Sequence, residues 1–406
     1  MRPAIDQISF AAKGEKSILR KVVLAYLVAA SLYVTLRYLR EIAKGGQVWT
    51  TGDWLLSYRA GFMRRGLTGS LTYGLTDVTG IDALYVAAAM QIVIYAAMVG
   101  SVLFILSRVK MTVPVAILAM SPVFVLMPFF FLKLGMSKEM IGFLAIALVA
   151  LSAFTPQKWP LWAGITIFTA SGFAHEINAF LAPDLLAFLF ILARAGVISR
   201  SQALMSAAIA ACAAGAAIVC SMVFNGNGMG DAVCQVILSY GGWHEFCGKS
   251  GPTVWLDRDM AYGINFTWDA NVASGVWPWF VLGFCLSMMP FALFRVVGDA
   301  TGRQTRMVLL AAIGGILAFL PLFVIASDWG RWIAMHAFFL TILTYVALHL
   351  GLIKERFARL NPVFLVFSLI WAMPDYGEPL TAGALQKAGT VAVFVQKRLG
   401  WQTPDK

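Results

Sequence analysis

Long apolar runs, broken by short polar stretches, recur along the chain from residue 22 onward. A helix of about 20 apolar residues crosses roughly 30 Å of hydrocarbon. Backbone amides in lipid must be satisfied within the segment itself, so such runs are read as helices. Spans are expected at 22–42, 82–106, 112–132, 140–154, 160–174, 178–193, 203–223, 276–294, 307–327, 332–351 and 361–373, with a further segment at 382–396. The pattern predicts an all-α fold, a polytopic transmembrane helical bundle of about 11–12 spans forming a single integral membrane domain over residues 1–406, with no internal repeat. Three polar stretches stand apart: a basic tail at 1–21, a first outer loop at 43–81 and a larger outer loop at 224–275.

Composition strengthens that picture. The chain is 60% hydrophobic and 13% charged, with a mean hydropathy of +0.78, whereas soluble domains carry about 25% charged residues. The net charge of +11 needs no nucleic acid to explain it, because basic residues facing anionic lipid are usual in cytosolic loops. The tail at 1–21 precedes an apolar run of full length, which reads as an uncleaved first helix with its N-terminus in the cytosol. Odd-numbered spans then run outward, and the inner segments hold more Lys and Arg than the outer ones, as the positive-inside rule expects.

The same bookkeeping puts most of the unusual polar residues on one face. Asp53 with Arg59, Arg64 and Arg65, then Lys138-Glu139, His175-Glu176, the 224–275 loop, and Asp328 with Arg331 all fall outside. Ionisable groups at membrane depth are rare and commonly functional, so these separate loops suggest one site at the outer end of the bundle.

In "GDWLLSYRAGFMRRGLTGSL" three guanidiniums follow Asp53 within a glycine-punctuated stretch. Arginine forks bind phosphate oxygens in pairs, so Arg59, Arg64 and Arg65 are candidate ligands for a phosphate or pyrophosphate group. The plainer alternative has Arg64 and Arg65 anchoring lipid headgroups while Asp53 pairs with Arg59. In "SGFAHEINAF", His175 or Glu176 could act as a general base, or the pair could be a buried histidine and a helix-end carboxylate. Position 179 is Ala, so the second histidine of a zinc protease is missing. Asp328 and Arg331, three residues apart, can pair on one helical face, or Arg331 can serve as a further phosphate ligand. Glu139, beside Lys138 at the start of a span, suits a first helical turn. Cys234 and Cys247 in the large loop can close a disulfide on an oxidising face. No Walker loop, Rossmann fingerprint or nucleophile elbow occurs, and no cofactor or metal is expected.

The acidic residue beside arginines, Asp53 with "YRAGFMRRGL", resembles the first outer loop of the lipid-linked-sugar glycosyltransferases of the GT-C type. The "HE" of His175-Glu176 and the "DWGRW" of Asp328–Trp332 are similar to patterns in bacterial polysaccharide polymerases of the O-antigen-like kind. The resemblance implies a multi-pass protein of the bacterial inner membrane, with its active site on the periplasmic side and partners consisting of membrane lipids, a lipid-linked glycan donor and a glycan or lipid acceptor. It further implies that Arg64 and Arg65, with Arg331, hold the donor phosphate, and that Asp53, or else Glu176 or His175, deprotonates the acceptor hydroxyl. A transporter or flippase for an anionic or lipid-linked substrate is the alternative from another class.

Overall fold

The computed structural model describes residues 18–126, 128, 136–226, 228–242, 244–248, 251–297, 303–355 and 371. The spans expected at 361–373 (apart from Trp371) and 382–396, and most of the tail at 1–21, lie outside the described residues.

Helix α1 (Ile18–Ile42) begins within the expected tail. Val23, Leu27, Ala30, Val34, Tyr38 and Ile42 form its buried stripe at helical spacing, while Val22, Leu32 and Leu36 on other faces are exposed, as suits a helix with lipid on one side and protein on the other. Helix α2 (Leu67–Thr79) lies inside the expected first outer loop and stops at Gly80, whose φ of 69° is the left-handed C-terminal stop favoured by glycine. Helix α3 (Ala83–Arg108) is capped by the Asp82 carboxylate, which accepts from the Leu84 amide.

The span expected at 112–132 does not form over its described part. Helix α4 (Val113–Ala119) is seven residues long and ends before Ser121-Pro122, where proline disfavours helix in the residue ahead of it. Helices α5 (Glu139–Leu151), α6 (Trp159–Ala174), α7 (Ala182–Arg194) and α8 (Arg200–Val223) follow. A 3-10 segment, Glu176–Leu181, leads directly into α7, and Ser199 with Gln202 forms a capping box on α8.

The expected large outer loop is mostly helical. It holds α9 (Gly230–Ser239), α10 (Pro252–Leu256) and α11 (Met260–Thr267), the last extended by a π-helical turn, Trp268–Ala273. Residues Met260–Ala273 and Trp277–Leu293, which includes α12 (Trp277–Met288), form a pair bent by 84°. A short strand, β1 (Phe294–Val296), precedes α13 (Arg303–Ile325) and α14 (Trp329–His349), and pairs antiparallel with β2 (Ile353–Glu355), Arg295 facing Lys354.

The fold is thus an all-α polytopic bundle with almost no sheet. Among the described residues, five helices are long and apolar enough to cross a membrane, and six if the bent pair counts as one span; α5, α9 and the apolar part of α13 are shorter. Helix α14 is buried along nearly its whole length and so forms the axis of the bundle. Trp54, Leu56, Met63, Tyr73, Val233, Ile237, Phe246 and Leu256 build a second core, in which the 52–79 and 229–256 segments pack together.

Candidate functional site

The site is made where helices begin and end. Asp53 sits in a 3-10 turn, Gly52–Leu55, beyond the C-terminus of α1. Arg64 and Arg65 precede α2. Lys138 is the N-cap of α5 and Glu139 its first residue. His175 ends α6, Glu176 opens the next 3-10 segment, and Asp328 and Arg331 begin α14. Helices α1, α6 and α8 end, and α5 and α14 start, at this one end of the bundle.

These residues form a linked ionic network. Arg65 donates through Nε to both Glu176 oxygens, each at 3.0 Å, and through a terminal nitrogen to Oε1 at 2.6 Å. Lys138, with no exposed surface, lies 3.4 Å from Asp53 Oδ2 and donates at 2.9 Å to the Arg65 carbonyl. Arg331 holds Glu139 at 2.7 Å and lies 3.8 Å from Asp328. Arg65 has a φ of 65°, the one positive φ at a non-glycine among the described residues. A left-handed arginine costs about 1–2 kcal/mol, and the bond from buried Lys138 to its carbonyl holds it there.

Arg64 stands apart from the other cations of the network. Its closest carboxylate among the described residues, Glu176, is 3.9 Å away; one terminal nitrogen donates to the Trp255 carbonyl, and its Nε, like that of Arg331, has no partner among the described residues. Burial and the neighbouring Arg65 guanidinium hold it below the usual arginine value, against Glu176 and Asp53. For Arg65, burial alone would lower the value, but Glu176, with Asp53 and Glu139 behind it, overcomes that penalty and the value is raised. Lys138 is lowered by burial first, with Asp53 opposing and Arg65 adding to the fall. Arg64 is therefore an incompletely compensated cation. Asp53 offers the complementary vacancy: its Oδ1 is buried and accepts from nothing among the described residues.

His175 is neutral, lowered to about 4 by burial and then by Arg65. Its Nδ1 accepts from the Ile177 amide at 3.3 Å, capping the 3-10 segment. That bond occupies the lone pair a general base would need. Both Glu176 oxygens are likewise engaged by Arg65, which leaves Asp53 Oδ1 and Glu139 Oε2 as the buried carboxylate oxygens of the network without a partner among the described residues, and of the two it is Asp53 whose charge acts on Arg64.

Arg59 does not join the network. It pairs with Asp77 and Tyr240 at the exposed surface, so the alternative in which Asp53 pairs with Arg59 does not form; Asp53 pairs with Lys138. Nothing in local spacing points to the Trp255 carbonyl or to Asp77, because both meet their partners only through tertiary approach. Cys234 and Cys247 are joined by a disulfide between α9 and the 3-10 turn His244–Cys247. Phe246, inside that turn, packs 3.1 Å from where a Gly52 side chain would begin, so the disulfide-bearing unit covers the Asp53 turn.

A crevice of about 10 Å³ opens beside Arg64, Glu176, Tyr58 and Ser221, room for about one water. A larger groove of about 660 Å³ lies at the opposite end of the bundle, lined by Phe104, Arg108, Phe154 and Trp159, and touches none of the charged network. Among the described residues no group of three or more His, Cys, Asp or Glu side chains is placed to hold a metal ion. Fold and site together define a multi-pass α-helical membrane protein with a buried ionic network at one end. Comparison with known family models, curated proteins and solved structures gives no match.

Proposed function

We propose that this chain is a membrane glycosyltransferase or glycan polymerase that uses a sugar linked to polyprenyl phosphate or diphosphate, at the outer face of a bacterial inner membrane. The observation that carries the reading is the juxtaposition of Arg64, a buried cation lacking full compensation, with Asp53, a buried carboxylate with a vacant oxygen. Asp53 Oδ1 takes the proton of the acceptor hydroxyl as its oxygen bonds to the anomeric carbon. The bond from that carbon to the phosphate oxygen breaks, and the leaving phosphate takes up charge beside Arg64, with Arg65 and Arg331 behind it. Direct displacement inverts the anomeric centre. The crevice beside Arg64 is far too small for a donor, so entry requires the 229–256 segment to lift from the Asp53 turn.

The disulfide supports the side of the membrane. Such bonds persist in oxidising compartments, and this one sits on the unit that covers the site. The test uses purified protein in lipid vesicles with a polyprenyl-diphosphate-linked sugar. Arg64→Ala is expected to lose turnover by about 10²–10³-fold, and Asp53→Asn to lose turnover while still binding donor. Normal surface glycan in cells carrying either variant would overturn the reading.

A transporter or flippase for a lipid-linked anion is the second reading, favoured by the helix pair bent by 84°, since broken helices line transport sites. Donor that accumulates on the inner leaflet of an Arg64→Ala strain, with no loss of transferase activity in vitro, would select it.

A further inference from the structure

Helices α7 and α14 carry one polar pair that the ionic network does not use. Asp184 lies in the first turn of α7, and His336 two turns into α14. Asp184 has no exposed surface and His336 is 3% exposed. His336 Nδ1 lies 4.0 Å from Asp184 Oδ1, beyond hydrogen-bond reach. Among the described residues, neither carboxyl oxygen of Asp184, nor His336 Nδ1, has a hydrogen-bond partner. The surroundings are apolar: the Phe319 and Phe339 rings each lie 6.3 Å from the imidazole. Helix α13 passes so close that a side chain at Gly315 would begin 1.8 Å from Asp184 Oδ1 and 3.0 Å from His336 Cε1.

An ionised carboxylate in this place, with no donor on either oxygen, bears its whole desolvation cost. A carboxylate facing an imidazolium at 4.0 Å leaves two buried charges without a hydrogen bond, the arrangement least able to repay that cost. A carboxylic acid beside a neutral imidazole leaves no charge in the apolar interior. We propose that Asp184 and His336 form an intramembrane proton-binding site, Asp184 carrying the proton at rest and His336 standing ready to accept it. When the gap closes, the carboxyl O–H bond breaks and an Nδ1–H bond forms; the electron pair stays on the carboxylate, and the product is a contact ion pair. Glu176 opens the 3-10 segment that leads into α7, and Arg331 opens α14, so closing the gap moves the two helices that present Glu176 and Arg331 to the network. The site stands whether the chain transfers sugars or transports a substrate.

Infrared spectroscopy of the full chain in lipid vesicles at neutral pH tests this. The wild-type protein is expected to show a protonated-carboxyl C=O band that is lost in Asp184→Asn and shifted in both His336→Gln and Gly315→Ala. Wild-type and Asp184→Asn spectra that superimpose in this region would overturn the proposal. Should Asp184→Asn fail to fold, a band unmoved by both His336→Gln and Gly315→Ala would overturn it equally, and neither measurement depends on any activity of the charged rim.

Discussion

Arg64 and Arg65 are adjacent in sequence and opposite in circumstance. Arg65 is closed by Glu176 and fixed from behind by Lys138, whereas Arg64 keeps an unpartnered Nε. Lys138 is the residue on which this difference rests, because it ties Asp53 and the left-handed Arg65 to the start of α5. Removing one partner of a buried ion pair costs about 3–5 kcal/mol. Lys138→Met is expected to lower the unfolding midpoint in detergent accordingly, with Lys138→Arg recovering only part of the loss. His175 gives a pH signature. Its folded value, about 4, lies below the ordinary 6.5, so the unfolded chain binds more protons between those limits and stability falls as the pH drops through that window, by roughly 3 kcal/mol in all. His175→Asn, which keeps a capping acceptor, is expected to flatten that part of the pH profile of thermal unfolding. The candidate residues were legible as five separate polar clusters. Their pairing was not, because the approach of Lys138 to Asp53, across 85 positions, leaves no trace in local spacing.

At the level of elements, hydropathy located the long helices. It placed α1, α3, α8 and α14 almost in full, since apolar length alone specifies them. It misjudged 112–132, where a proline limits a seven-residue helix, and 224–275, where polar residues conceal three helices, the first two of which pack over the site. Close backbone approach was invisible too. The Gly69 amide donates to the Leu56 carbonyl, and a side chain at position 69 would begin 2.2 Å from that oxygen. Gly69→Ala therefore forces α2 away from the Asp53 turn. Overpacking of this kind costs about 1–3 kcal/mol, and a reduced monodisperse yield on size-exclusion chromatography is the expected result.

Across the whole molecule, one end carries the ionic network and its cover, while the other carries Arg108, the 660 Å³ groove and the β1–β2 pair. The two ends need different things of their surroundings, and the disulfide makes this measurable. Closing a loop of about 15 residues contributes about 3 kcal/mol, and the Cys234–Cys247 separation of 13 is close to that. A reductant is expected to lower the melting temperature of the wild-type protein and leave Cys234→Ser unaffected. Equal shifts in both would detach stability from this bond. Both cysteines lie between α8 and the bent helix pair, so under the proposed orientation they meet oxidising machinery only after α8 has been threaded across the bilayer. The crosslink thereby becomes a clock for biogenesis: in a pulse-chase with thiol alkylation, the moment at which these two sulfurs escape the label marks when the cover over the site has been delivered.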